Sequence, residues 1–247
     1  MQLSPNPKRV LVTGGGSGIG LAVAKAFLDS GCEVTIASRD EEKLKSTGLE
    51  YVVMDATDEA SIRSALQSAG DIDIFVANAG GAATAPALKT PRDMWDDMLK
   101  LNLTSVFLCA QAATPPMIER GWGRFIAIAS TASLKGYAYS SAYAAAKHGV
   151  LGWIRSLGLE LAKTGVTANA ICPGFTDTPL IDKALDAVAT KTGRSRDDAL
   201  KAFVKLNPMG RLIKPEEVAA AAVWLASESA ASMNGQAIAI DGGETVS

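Results

Sequence analysis

Ser130, Tyr143 and Lys147 put a hydroxyl, a phenol and an ammonium within eighteen residues, 130–147, and this stretch is the part of the chain best equipped for chemistry. Tyr143-Ala144-Ala145-Ala146-Lys147 lies in an Ala- and Leu-rich run, 141–163, without proline. The run is expected to be helical, which places Tyr143 and Lys147 at i and i+4 on one face, about 6 Å apart along the axis. A free phenol ionises near pH ~10, and a nearby ammonium favours the phenolate, so the pair suits acid/base work near neutrality. Ser130 adds a hydroxyl able to donate to the oxygen of a carbonyl being reduced or of an alcohol being oxidised. The chemistry this suits is proton transfer coupled to hydride transfer. Tyr-x-x-x-Lys alone also describes bland exposed helix faces, but Tyr51, Tyr137 and Tyr139 have Asp55, Ser141 and Tyr143 at i+4, and only Tyr143 has a lysine there.

These groups need a frame. Phe125-Ile126-Ala127-Ile128-Ala129 reads as a buried parallel strand, which would bring Ser130 to the carboxyl end of a sheet, where ligands of α/β proteins bind. Nearer the start, the strand-like Arg9-Val10-Leu11-Val12-Thr13 runs into Gly14-Gly15-Gly16-Ser17-Gly18-Ile19-Gly20. Helical spacing follows at Ile19, Ala22, Val23, Ala26 and Phe27, with Gly31 as a stop. Such glycines permit a tight turn and let backbone amides and a helix amino terminus approach a pyrophosphate. The pattern is Gly14-x-x-x-Gly18-x-Gly20 and not the strict GxGxxG, so the strand and helix around it carry much of the inference.

A second strand, Glu33-Val34-Thr35-Ile36-Ala37, ends at Ser38-Arg39, where an acidic side chain would take the ribose hydroxyls of NAD. Ser38 is not acidic, and Arg39 offers a planar cation to a 2′-phosphate, so NADP(H) is the expected cofactor. Asp40 follows at once and leaves NAD(H) open, and a solvated arginine at the start of a helix is the bland alternative.

Further strands are expected at Tyr51-Val52-Val53-Met54, Ile72-Asp73-Ile74-Phe75-Val76, Val166-Thr167-Ala168-Asn169-Ala170-Ile171 and Gln236-Ala237-Ile238-Ala239-Ile240. Helices fall between them, including a long one over 95–117 whose last turns Pro115-Pro116 should disturb. The alternation predicts an α/β fold, a Rossmann-type doubly wound parallel sheet of about seven strands in a single domain. Residues 178–212 break the rhythm with two expected helices, 180–190 and 198–204, and make a natural lid. Leu180, Ile181, Leu185 and Val188 would line a substrate pocket or form a satellite packing cluster. The lid's Lys183, Lys191, Arg194, Arg196, Lys201 and Lys205 slightly outweigh Asp182, Asp186, Asp197 and Asp198, an excess that could greet an acyl-CoA or belong to a solvated cover.

Composition narrows the classes. A net charge of −2 gives no broad basic field and so argues against nucleic acid or an anionic membrane as the main partner, while 48% hydrophobic residues suffice for a sizeable core. No apolar run is long enough to span a bilayer and the first residues lack a signal-peptide core, so a cytoplasmic protein is expected. Cys32, Cys109 and Cys172 are widely spaced in apolar contexts, reading as reduced, buried thiols. With one histidine, His148, a catalytic zinc site lacks ligands, and no metal is expected.

The set Thr13-Gly14-x-x-x-Gly18-x-Gly20, Asn78-Ala79-Gly80, Asn102, Ser130, Tyr143-x-x-x-Lys147 and Pro173-Gly174-x-x-x-Thr178 resembles the classical short-chain dehydrogenase/reductases over essentially the whole chain. The resemblance implies a Rossmann-fold oxidoreductase in which Tyr143 is the acid/base and Lys147 lowers its pKa and binds the nicotinamide ribose. It further implies that Ser130 orients the substrate oxygen and Asn102 holds a water in a proton relay. Gly14, Ser17, Gly18, Ile19 and Gly20 would carry the cofactor with Ser38 and Arg39. Asp55 would lie by the adenine, Asn78 and Gly80 along the cofactor, and Pro173, Gly174 and Thr178 near its carboxamide end. One departure is Ala77, where the family often has a first asparagine. Within the family the chain is similar to 3-oxoacyl-thioester reductases and 3-hydroxybutyrate dehydrogenases. It lacks a lysine in Ser140-Ser141-Ala142 and arginines at Gly121 and Thr164, which those two subtypes often carry. The implied substrate is a ketone or secondary alcohol, with 3-oxoacyl thioesters, possible acyl-CoA, ahead of polyols, sugars and cyclic alcohols. A catalytically silent scaffold or redox sensor is the reading of another class, and a homotetramer is the family's assembly.

Overall fold

A computed structural model describes residues 8–193 and 195–246. Seven parallel strands form one sheet: β1 (Arg9–Thr13), β2 (Glu33–Ser38), β3 (Tyr51–Val53), β4 (Ile74–Ala77), β5 (Gly123–Ile128), β6 (Val166–Pro173) and β7 (Ala237–Ile240). Their order is β3-β2-β1-β4-β5-β6-β7, so the winding reverses between β1 and β4. A crevice opens at such a switch point, above the strands' carboxyl ends.

The strands are apolar on both sides because helices cover both faces. In β1, Leu11 joins the cluster beneath α3 (Glu59–Ala69), α5 (Ser105–Glu119) and α6 (Ser141–Leu161), while Val10 and Val12 point to the opposite face. That face is closed by α1 (Gly18–Asp29), α2 (Glu41–Lys45) and α9 (Pro215–Ala226). The same alternation recurs in β5, where Phe125 and Ala127 face one layer and Ile126 and Ile128 the other. Phe125 stacks on Phe75 of β4 at 5.6 Å between ring centroids. Each such fully buried large side chain contributes about 1.5–3 kcal/mol of transfer free energy.

The expected long helix over 95–117 is three pieces. Helix α4 (Arg92–Leu99) passes through a π-helical turn, Lys100–Thr104, into α5. The widened turn carries Asn102, and its side chain bonds the backbone on both sides, as described below. Pro115 and Pro116 do not end α5, which continues to Glu119. The carbonyls they leave without an amide belong to the exposed Gln111 and half-buried Ala112, on the side where water can serve them.

After β6 the chain leaves the sheet for α7 (Pro179–Thr192) and α8 (Arg196–Val204). These pack on each other through Ile181, Leu185 and Ala199, with Phe175, Val188 and Phe203 against them. Packing within this pair is therefore what Ile181, Leu185 and Val188 do, and Leu180 is turned outward, 48% exposed. Arg196 pairs with Asp182 and, at 3.7 Å, Asp186, bracing α8 against α7, and Lys201 pairs with Asp198. Arg194 lies outside the described residues. All three cysteines are free and buried.

Candidate active site

The glycine turn between β1 and α1 fixes one side of the crevice. Gly14 adopts φ +66°, and its N–H bonds the Ala37 carbonyl at 2.7 Å, pinning the turn to β2. A Cβ at Gly20 would lie 2.4 Å from the Gly14 carbonyl oxygen, so only glycine lets the helix begin this close to the turn. Ser17 is the N-cap of α1, yet its hydroxyl makes no capping bond, and no acidic residue stands in the first turn. Amides without side-chain partners and a positive helix end free of carboxylates make a fitting cradle for a pyrophosphate. Ile19 packs its side chain against the core beneath.

Asn78, at the end of β4, locks the turn from the other side. Its side-chain amide donates to the Thr13 carbonyl at 2.9 Å and the Gly14 carbonyl at 3.4 Å. The Thr13 hydroxyl accepts the N–H groups of Asn78 and Ala79, both at 2.9 Å. Thr13 was expected only as the start of the glycine motif. It is the buried pin joining β1 to β4, and its signal is a hydroxyl at the last strand position before the first glycine. Across the crevice, the Thr178 side chain sits against Gly18, where an added Cβ would come within 3.1 Å of it.

At the far end of β2, Arg39 is largely exposed and stands 4.0 Å from Asp55. Asp55 accepts the backbone and hydroxyl of Thr57, both at 2.8 Å. The Thr57 backbone bond, more than Arg39, holds its carboxyl below the ordinary range. The Ser38 hydroxyl bonds within its own turn to Asp40 at 3.3 Å. Lys43 lies with its stem over Gly16, near enough that a Cβ there would meet it at 3.2 Å. Sequence reading missed Lys43, because its closeness to the glycine turn depends on how α2 folds back.

The reacting groups come together at the ends of β4 and β5 and the start of α6. The Ser130 hydroxyl lies beside the Tyr143 phenol, close enough to act on its acidity. The Ser130 oxygen also accepts the N–H of Ala132 at 3.1 Å, which orients it. Lys147 is 4% exposed, with Nζ 5.8 Å from the Tyr143 ring centroid and donating to the Ile128 carbonyl at 2.8 Å. Burial pushes the lysine down to about 8 from its ordinary 10.5. It also pushes the Tyr143 phenol up, and the neighbouring Ser130 hydroxyl opposes that. The expectation that Lys147 draws the phenol toward neutrality is therefore offset in the protein alone. Desolvation acts on both groups, and the ammonium is held by a carbonyl behind the ring.

Asn102 is fully buried in its π-helical turn, donating to the Met98 carbonyl at 3.1 Å and accepting the Gly81 N–H at 3.1 Å. Gly80 makes room, since a Cβ there would stand 2.8 Å from Asn102 Oδ1 and 3.8 Å from Lys147 Nζ. Asn102, Gly80 and Lys147 thus form one contiguous corner. Pro173 is the last residue of β6, and the Gly174 N–H bonds the Ile240 carbonyl at 3.0 Å. His148 points away, its Nδ1 2.9 Å from the Ala144 carbonyl on an exposed face. Among the described residues, no three His, Cys, Asp or Glu side chains cluster as a metal site, and no helix is long and apolar enough to cross a membrane.

Comparison with known proteins agrees with this geometry. A family model described as enoyl-(acyl carrier protein) reductase matches residues 14–245. The D-beta-hydroxybutyrate dehydrogenase of Cupriavidus necator is 39% identical over 252 residues, covering 96% of this chain and 98% of that protein. A Streptomyces violaceoruber protein named granaticin polyketide synthase putative ketoacyl reductase 1 is 37% identical, covering 94% of this chain and 91% of its own. Among solved structures, a variant of actinorhodin polyketide ketoreductase with NADPH superposes with a TM-score of 0.91 at 32% identity, covering 99% of each chain. The glycine turn, the Ser130–Tyr143–Lys147 centre and matches spanning nearly the full length carry one conclusion: the chain belongs to the short-chain dehydrogenase/reductase family of oxidoreductases.

Proposed function

We propose that this chain interconverts a ketone and a secondary alcohol with a nicotinamide cofactor, NADP(H) in preference to NAD(H), and that its substrate is a 3-oxoacyl or 3-hydroxyacyl thioester. The observation that carries the reading is the Ser130 hydroxyl set beside the Tyr143 phenol, with Lys147 buried against the ring, its Nζ 5.8 Å from the ring centroid. When bound, the nicotinamide supplies or accepts the hydride. The chain does the rest. Ser130 donates a hydrogen bond to the substrate oxygen, and Tyr143 gives that oxygen its proton during reduction or removes it during oxidation. Lys147 holds positive charge beside the phenol and so favours the phenolate once its proton has moved. Asn102, between the Met98 carbonyl and the Gly81 N–H, keeps the corner around Lys147 open to a proton-carrying water.

The cofactor assignments rest on the same frame. The turn from Gly14 to Gly20, with Ser17, would hold the pyrophosphate, and Asn78 and Gly80 line the route toward the reacting corner. Arg39 is exposed beyond β2, and Lys43 lies by Gly16, so two cations face the place for a 2′-phosphate. Thr178 meets the glycine turn across the crevice, which supports a place near the carboxamide end together with Pro173 and Gly174. Helices α7 and α8 serve as the lid. The names of the Cupriavidus and Streptomyces relatives favour a small 3-oxo or 3-hydroxy acyl substrate, with acyl-CoA as the form proposed. A cytoplasmic homotetramer completes the reading, and the exposed Leu159 and Trp224 are surfaces an assembly would cover.

The deciding experiment assays the purified protein with NADPH and with NADH against acetoacetyl-CoA, cyclic ketones and, in the oxidative direction, polyols. Preferred reduction of acetoacetyl-CoA with NADPH is expected. Turnover confined to polyols would replace the substrate assignment.

A further inference from the structure

The segment after β7 packs against the loop that follows Ser130. Glu244, four residues past β7, is 2% exposed in a site otherwise built from β5 and β6. Its carboxylate accepts the phenol of Tyr137 and pairs with Lys135 at 3.3 Å, and Lys135 also donates to the Glu244 carbonyl at 3.2 Å. Gly174 is bare on that side, since a Cβ would come within 3.1 Å of Glu244 Oε2. Asp241 shapes the segment for this approach by accepting the N–H groups of Gly243 at 3.0 Å and Thr245 at 2.9 Å.

Tyr137 is the hinge of the arrangement. Its oxygen lies 2.6 Å from Thr131 Oγ1, the neighbour of Ser130, and its ring meets Phe175 edge-on at 5.7 Å. Phe175 in turn meets Phe203 of α8 at 4.7 Å. The three rings make a continuous wall from the Ser130 strand end, past the end of β6, into the α7/α8 pair. Burial and the Glu244 carboxylate hold the Tyr137 phenol well above its ordinary range, so it stays a donor. A charged residue buried this well at the end of a chain needs a specific partner.

We propose that Glu244 is a positioning residue for substrate binding: through Tyr137 it ties the C-terminal segment to the Tyr137–Phe175–Phe203 wall and sets how closely that wall fits the carbonyl substrate. The inference rests on the reading of Ser130 and Tyr143 as the reacting centre. Glu244 touches no reacting atom in this scheme, so its effect belongs in KM for the carbonyl compound and not in kcat or in cofactor affinity.

The test is a cycle of Tyr137→Phe, Glu244→Leu and their double variant, with Glu244→Gln as the conservative replacement. Each is assayed for reduction of acetoacetyl-CoA and a small cyclic ketone, with NADPH affinity followed by fluorescence and folding by thermal melting. Tyr137→Phe and Glu244→Leu are each expected to raise KM about five- to tenfold, the size of one typical net hydrogen bond, with kcat and NADPH affinity within about twofold. The double variant should be no worse than either single one, because both remove the same tie. Glu244→Gln keeps an oxygen acceptor for Tyr137 and should restore most of the wild-type KM. Unchanged KM in Tyr137→Phe, losses that multiply in the double variant, or a matching loss of NADPH affinity each overturn the inference. If Glu244→Leu fails to fold, Tyr137→Phe and Glu244→Gln decide it alone. A wild-type protein that reduces no carbonyl compound refutes the reading of the centre and this inference with it, whereas an active wild type with indifferent variants refutes this inference only.

Discussion

Lys147 Nζ donates to the Ile128 carbonyl at 2.8 Å, so the ammonium beside Tyr143 is anchored to the last residue of β5, two positions before Ser130. That anchor is bought by burying a cation, and the cost shows in its acidity: the folded protein holds Lys147 at about 8 against an ordinary 10.5. Lowered affinity for the proton means that between about pH 8 and 10.5 the unfolded chain binds more protons than the folded one. Stability from this group therefore rises with pH through that window, and the full burial cost is present below it. Lys147→Met is expected to abolish turnover yet stabilise the cofactor-free protein by about 1–3 kcal/mol near pH 7. Melting temperature should rise by about 2–4 °C per kcal/mol, with the gain over wild type shrinking above pH 8. A destabilised Lys147→Met protein would show that the Ile128 bond outweighs desolvation.

Tyr143→Phe removes the phenol and leaves the ring. Turnover should fall at least about 10²-fold, the usual worth of a positioned acid/base, with NADPH affinity nearly unchanged. Residual activity above about a tenth of wild type, in steady-state assays with saturating cofactor, contradicts the assignment of Tyr143 as proton donor.

The Asp40 carboxylate accepts the Lys43 N–H at 3.0 Å and caps α2, which turns this neighbouring negative charge toward the helix and leaves Asp55, 4.0 Å away, as the carboxylate paired with Arg39. The Arg39 side chain is left largely exposed beyond the end of β2. Arg39→Ala should raise KM for NADPH by about 10- to 100-fold, the loss of a charge-assisted contact of about 1.5–3 kcal/mol, and change KM for NADH little. Equal effects on the two cofactors, or a wild type that prefers NADH, refute the NADP(H) assignment.

Much of this was legible in the sequence because periodicity and punctuation are local. Val10, Leu11 and Val12 alternate between two helical layers, and the glycine run from Gly14 marks where β1 must turn, so the sheet and the cradle follow from short stretches. The Tyr143/Lys147 pair follows from helix geometry alone. What could not be read depends on contacts across the fold. The π-helical turn at Asn102 has no composition of its own, and only the Gly81 N–H on one side and the Met98 carbonyl on the other show why it is wider there. Nothing near Glu244 in the sequence points to Tyr137, its partner 107 positions earlier. The apolar residues of α7 were left with two readings for a similar reason. Ile181 and Leu185 form an apolar helical face that fits a pocket wall or a helix partner equally well, and α8 supplies the partner.

The same helix pair decides what Arg196 does. An acyl-CoA attracted by lid charge would need cations turned to the solvent, but Arg196 is engaged by Asp182 and Asp186 and joins α8 to α7. On this geometry it braces α8 against α7, and half-exposed ion pairs of this kind are worth only about 0.2–1 kcal/mol. Arg196→Ala should therefore lower kcat/KM by at most about fivefold, and by a similar factor for acetoacetyl-CoA and for a small ketone without the nucleotide. Because the missing contact lies within the protein, the ratio between the two substrates should hold from low to high salt. A loss confined to acetoacetyl-CoA that shrinks as salt rises is the signature of a screened charge meeting the nucleotide. That outcome would move Arg196 from the lid's internal brace to its substrate-facing surface.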